Sequence, residues 1–379
     1  MLTADQLDSL TDPIVALYSE YEQSVINDIA RRLSKMGMSS ASAWQMQRLI
    51  ESGGVYKNAI AQIAKLTGQS EKDLRAMFEK AGVKSMKFDD SIYKAAGLNP
   101  LPLNMSPAMA QVLAAGLRKT QGILSNLTLT TAMSGQQAFI KAADMAYLQV
   151  STGAMSYDQA IRYAVKQMAD GGLKVVNYAS GHVDKIDVAT RRAVLTGVSQ
   201  TTGKLQIMRA DQMGVDLVQI SAHGGARPSH QLWQGKIFSR SGTNKKYPDF
   251  VAETGYGTGP GLMGWNCRHS FFPFFEGISE NAYNQATLDD YASTTVKLNG
   301  QDVPMYDATQ YQRGIERKIR YWKRQADALG SAGQDNTGEL AKVRQWQERA
   351  RAFVKETGLY RQPARERVIG FKKARRAVF

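Results

Sequence analysis

SAHGGARPSHQLWQGKIFSRSGTNKKYPDFVAETGYGTGPGLMGWNCRHSFFPFFEG, residues 221–277, holds three of the chain's four histidines and its single cysteine. Glycine and proline are dense, and no helical periodicity runs through it. A β-prone run, Leu217, Val218 and Ile220, leads in. Such a segment predicts short strands joined by long ordered loops, a compact α+β module with three or four strands over residues 215–306. Further on, Thr294, Val296 and Leu298 alternate before Asn299-Gly300, the signature of a two-residue hairpin turn.

Outside this module the sequence reads as helix after helix. Asp12-Pro13 predicts a helix start, with aspartate as cap and proline at the first helical position, and Gly37 an end. Between them Ile14, Leu17, Tyr18, Tyr21, Val25, Ile29 and Leu33 recur at helical spacing. Residues 70–73 resemble a capping box before Leu74, and Asn99-Pro100-Leu101-Pro102 interrupts the helices. Residues 106–149 predict a helix broken at Ser134-Gly135. Residues 156–170 predict another, with Ser156 and Gln159 as capping box and Gly171-Gly172 as stop. Residues 187–200 and 202–213 read as two more. Residues 308–329 and 339–357 predict an antiparallel pair with basic outer faces. The expected fold class is therefore α+β, predominantly α. Its parts are a helical N-terminal region (1–99), a second helical region (100–214), the loop-rich α+β module (215–306) and a basic helical pair with its tail (307–379).

At 379 residues, 43% hydrophobic and 22% charged, the composition is that of a globular protein with more than one domain. One cysteine excludes an internal disulfide framework. No apolar run is long enough for a membrane-spanning helix, and the N-terminus lacks the pattern of a secretory signal. Synthesis in cytoplasm is expected. The net charge of +14 is uneven: residues 313–379 carry 18 basic and 7 acidic groups, whereas residues 1–312 carry 30 and 27. That asymmetry suggests contact with a polyanion, against the plainer alternative of a solvated helical face.

The residues of the module that could do chemistry are His223, Arg227, His230, Asp249, Cys267, Arg268 and His269; all of them but Asp249, together with Asn266, are candidate structural pins. A zinc site would combine His223 and His230 with Cys267 and His269. Against it, a Cys-x-His spacing sends its side chains along separate directions on a strand and about 200° apart on a helix. A cysteine nucleophile needs a histidine partner and an oxyanion hole, and no motif for the latter is present. A metal-independent nuclease or hydrolase would use His223 or His230 as base and Arg227 to hold phosphate. In the preferred reading these side chains brace loop backbone that has no ladder partner, with no metal and no cofactor. Residues 254–261, TGYGTGPG, lack the Gly-Lys-Ser/Thr of a phosphate loop, and close backbone packing explains the glycines better.

Several separated words occur here in order: residues 221–230 (SAHGGARPSH), Trp233-Gln234-Gly235-Lys236, Tyr247-Pro248-Asp249-Phe250, Gly255-Tyr256-Gly257 and Gly264-Trp265-Asn266-Cys267-Arg268-His269. Together they resemble the tailed-phage minor capsid protein 2 family, and more loosely the MuF-type head morphogenesis module. His269 stands where the MuF-type ending has a second cysteine. The resemblance implies a non-enzymatic virion protein of the head interior near the portal, with portal and other head proteins as partners. It implies a role in head assembly and in DNA packaging or delivery. Under that reading the C-terminal basic residues, Arg317, Lys318, Arg320, Lys323, Arg324, Arg344, Arg351, Lys372, Lys373, Arg375 and Arg376, are candidates for sequence-independent contact with double-stranded DNA. Tyr321, Trp322, Trp346 and Tyr360 lie among them at helical spacing and are expected in the core.

Overall fold

A computed structural model of the chain describes residues 2–37, 40–103, 106–175 and 183–371. Its elements are α1 (Ala4–Lys35), α2 (Ala41–Ala95), α3 (Pro107–Ser151), α4 (Tyr157–Gly171), β1 (Lys174–Val175), β2 (Asp184–Lys185), α5 (Ile186–Gln212), β3 (Leu217–Ile220), α6 (Pro228–Gln231), β4 (Ile237–Ser239), α7 (Phe250–Thr254), β5 (Phe271–Pro273), α8 (Gln285–Ser293), β6 (Thr295–Leu298), β7 (Gln301–Pro304), α9 (Met305–Ser331) and α10 (Thr337–Thr357). The protein is α+β and predominantly α, as the sequence predicts. Among the described residues no helix is long and apolar enough to cross a membrane.

The helices are longer than the local signals suggest. Helix α1 begins at Ala4, not at Pro13, because Thr3 and Gln6 form a reciprocal cap: the Thr3 hydroxyl accepts from Gln6 N–H at 3.3 Å, and Gln6 Oε1 accepts from Thr3 N–H at 3.2 Å. Ser70 caps nothing. It lies inside α2 and donates its hydroxyl to the Thr67 carbonyl one turn back. Ser134-Gly135 does not break α3, and Ile186–Gln212 form the single helix α5, where Thr202 returns its hydroxyl to the Val198 carbonyl. The Ser156–Gln159 capping box and the Asn299-Gly300 turn are as predicted, the turn with φ of 52° and 76°.

Two compact units make up the chain, each from three segments. The first comprises Met1–Asp12, Glu71–Ile123 and Arg191–Gln310. Here α3 and α5 approach closely through a reciprocal pair of contacts. Gly116 faces Thr201, Gly197 faces Thr120, and a Cβ on either glycine would collide with the threonine opposite. Gln206 of α5 donates to Asp89 of α2 at 3.0 Å and to the Phe271 carbonyl of β5 at 2.5 Å, tying the helices to the loop-rich module. The module's sheet has the order β4-β3-β5, antiparallel throughout, with Val218 opposite Phe238 and Ile220 opposite Phe271. All four residues of β3 are buried. Its core is Val218, Ile220, Trp233, Phe238, Phe250, Leu262, Met263, Cys267 and Phe271.

The second unit comprises Pro13–Ser70, Leu124–Thr190 and Tyr311–Phe379. Gly135 of α3 lets the helix pass close to α1, since an added Cβ would lie 2.9 Å from Val25. Trp44 and Tyr147 pack at 5.4 Å between ring centroids. The basic pair α9 and α10 is joined near its ends by Tyr311 stacking on Phe353 at 5.5 Å.

Candidate functional site

The histidine cluster is built where the loop between β4 and β5 returns under α6. The Gly-rich segment passes beneath the following turn with backbone against backbone. A Cβ at Gly261 would meet the Gly255 carbonyl, and one at Gly264 the carbonyls of Thr258 and Gly259. Asn266, itself exposed, takes a left-handed φ of 56°, a conformation asparagine tolerates better than most residues. That one residue redirects the chain, so Cys267 and His269 converge: Sγ lies 3.7 Å from His269 Nδ1. Cys267 and His269 meet across a single intervening residue because this segment is neither strand nor helix.

Gln234, which no motif singles out as functional, is the hub. Its Oε1 accepts the His223 backbone N–H at 3.2 Å and faces His269 Nε2 at 3.0 Å. A backbone N–H can only donate, so the amide oxygen is fixed in place. His269 must then carry its proton on Nε2, leaving Nδ1 to receive the Cys267 thiol. His230 donates Nε2–H to the Pro260 carbonyl at 3.0 Å, and His223 donates Nδ1–H to the Gly224 carbonyl at 3.0 Å. The rings stack on one another, His223 on His269 at 4.5 Å and His230 edge-on to His269 at 5.4 Å.

Burial sets the charge state. It holds His269 well below the usual histidine range, and positive charge on His223 or His230 would push it lower. Burial also lowers His223 and His230. The Cys267 thiol is pushed up by burial, against a weaker lowering effect from its hydrogen bonds. The cluster is thus neutral at physiological pH. Arg227 donates to the Trp265 carbonyl at 3.3 Å, and Arg268 pairs with Asp8 of α1 at 3.0 Å. The structure brings the seven pin candidates together: His223, Arg227 and His230 each donate to a backbone carbonyl, Cys267 and His269 face one another, Arg268 pairs with Asp8 of α1, and Asn266 turns the backbone. The nuclease reading places a base and a phosphate ligand on His223, Arg227 and His230, yet one ring nitrogen of each histidine is bonded to a backbone carbonyl and His230 is 3% exposed.

The candidate DNA-contacting residues divide. Arg317, Lys318, Arg344 and Arg351 are exposed on α9 and α10. Arg324 is buried, 3.2 Å from both Glu22 and Asp187, and Arg320 pairs with Asp187 at 2.9 Å. Burial acts to raise Asp187, but Arg320 and Arg324 outweigh it and hold this carboxyl well below its usual range. Glu22 is raised by burial, which Arg324 only partly offsets. Lys323 donates to the Glu366 carbonyl at 2.8 Å. Arg324, buried between two carboxylates, is therefore a correction to the sequence reading, while Arg320 and Lys323 are half-buried with partners inside the second unit. Lys372, Lys373, Arg375 and Arg376 lie outside the described residues. Tyr321, Trp322 and Trp346 are half-buried, whereas Tyr360 is 89% exposed and is not a core residue.

Comparison with known proteins agrees with the motif words. A "Structural protein" of Lactococcus phage LL-H is 26% identical over 360 residues, covering 90% of this chain and 93% of that one. A "Structural protein" of Lactococcus phage mv4 is 34% identical over 130 residues, 33% of this chain and 94% of that one. No solved structure matches. The family described as Phage minor capsid protein 2 matches residues 2–355, so the chain belongs to that family.

Proposed function

We propose that this protein is a structural component of the phage head that sits inside near the portal and touches the packaged genome through α9 and α10. Family membership and the two phage relatives support a structural role in the particle. The observation that carries the DNA contact is the sorting of charge on the helical pair. Arg320 and Arg324 are neutralised internally, whereas Arg317, Lys318, Arg344 and Arg351 stay on the surface, within a C-terminal stretch, residues 313–379, of net charge +11. Lys/Arg groups on an accessible surface are all that sequence-independent phosphate binding requires. The protein's part in assembly, packaging or delivery is then docking and charge neutralisation, with portal and head proteins as its other partners.

The test is titration of full-length protein with duplex DNA at several salt concentrations. Log affinity should fall linearly with log salt, with little dependence on DNA sequence. Absence of binding at low salt removes the DNA contact.

A further inference from the structure

We propose that His230, Cys267 and His269 form a zinc site inside the loop-rich module. One ligand atom from each lies within 4.8 Å of the others, and all three side chains are buried. The 3.7 Å between Cys267 Sγ and His269 Nδ1 is the separation expected for two ligands on one tetrahedral ion, with Zn–S about 2.3 Å and Zn–N about 2.0 Å.

The outer contacts of a metal site are already in place. A zinc-bound imidazole usually gives its other N–H to a carbonyl or carboxylate, which fixes its tautomer and aim. His269 does this through Nε2 to Gln234, and His230 through Nε2 to the Pro260 carbonyl. Both are thereby left with a proton-free Nδ1, the nitrogen a metal needs. One sulfur and two imidazole nitrogens are borderline donors, which favour zinc over magnesium or calcium. His223 does not complete the set. Its ring stacks over His269 at 4.5 Å and 25°, and its nitrogens do not join the group whose ligand atoms lie within 4.8 Å of one another. The fourth position falls to water.

On binding, the Cys267 S–H bond breaks, a Zn–S bond forms, and one proton leaves to solvent. Both imidazoles bind in the neutral form they already hold. The ion would join α6 to the turn that precedes β5, across a module whose core is small and whose loops are long. This site is independent of the DNA contact, which lies on residues of the other unit.

The test is metal analysis and cobalt substitution on the full-length protein. Protein expressed with zinc available and then desalted should hold one zinc per chain. Chelator-treated protein given Co2+ should show a thiolate-to-cobalt charge-transfer band and the strong visible absorption of a tetrahedral ion. Cys267→Ser should lose the charge-transfer band, and His223→Ala should keep it. Gln234→Ala should weaken zinc binding by roughly 10–100-fold. Between pH 6 and 8 zinc affinity should rise about tenfold per pH unit, since one thiol proton is displaced. If Cys267→Ser does not fold, the wild-type cobalt spectrum decides alone. Wild-type protein that takes up neither metal, or a cobalt spectrum without a thiolate band, overturns the proposal.

Discussion

Nη2 of Arg324 lies 3.2 Å from the Glu22 carboxylate, with side-chain exposures of 3% and 0%. The two residues come from opposite ends of the chain, and the contact belongs to the interior of the second unit. A second acid, Asp187, shares the same guanidinium and is held by Arg320 as well. Of the two acids Asp187 carries the firmer negative charge, because two arginines face it.

Arg324→Ala should therefore destabilise the protein by about 3–5 kcal/mol, the usual cost of stranding a buried charge. Arg317→Ala, on the exposed face of the same helix, should change stability by no more than about 0.5 kcal/mol. Urea unfolding of the two variants checks the contrast. Equal midpoints would mean that Arg324 is not structural.

Helix packing in the first unit gives a second contrast. Gly197→Ala puts a methyl group into Thr120 and should cost about 1–3 kcal/mol through overpacking. Gly122→Ala, in the same helix as Thr120 but with nothing within 4 Å of the new atom, should stabilise by up to about 1 kcal/mol through helix propensity. Thermal unfolding should move in opposite directions for the two.

A pH dependence follows from Asp89. Burial pushes this carboxyl up to about 7, against the lowering effect of the Gln206 hydrogen bond. The unfolded chain ionises it near pH 4, so the folded state holds the extra proton in between. Its contribution is full below pH 4, falls as pH rises towards 7 and levels off above. The drop is up to about 4 kcal/mol. Asp89→Asn should flatten the stability profile over that window, as urea midpoints measured from pH 4 to 8 would reveal. An unchanged slope would contradict the assignment.

The surface cations make a fourth prediction. Replacing Arg317, Lys318, Arg344 and Arg351 with alanine should lower DNA affinity uniformly across sequences. The slope of log affinity against log salt should shrink by about 1 for each phosphate that no longer has a cation beside it. Arg324→Ala, in protein that remains folded, should leave that slope unchanged.

Local chemistry is readable from the sequence where a few neighbouring residues decide the outcome: the Ser156–Gln159 cap, the Asn299-Gly300 turn and the strand at residues 217–220. Helix continuity is harder to read. Ser70, Ser134-Gly135 and Thr201-Thr202 look like breaks, but hydroxyls that return to their own helix, or a glycine admitting a neighbouring helix, remove the reason to stop. At the start of α1, Asp12-Pro13 has the stronger local signature, and it hides the Thr3–Gln6 cap one to three turns earlier. In the histidine cluster the residue types are evident, but their convergence depends on the backbone of Asn266 and on Gln234, neither of which has a spacing rule. Arg320 and Arg324 look like surface charge by residue type alone. Four-residue spacing from the buried Gln312 and Glu316 places both on the inner face of α9.

Contact with the genome inside the particle is tested most directly by photo-cross-linking in intact virions, with a photoreactive residue at position 344. The account predicts a cross-link to DNA at that position and none from the same residue at position 46, an exposed site on α2 of the same unit. Cross-links from position 344 to protein alone, in particles shown to be full of DNA, would contradict it.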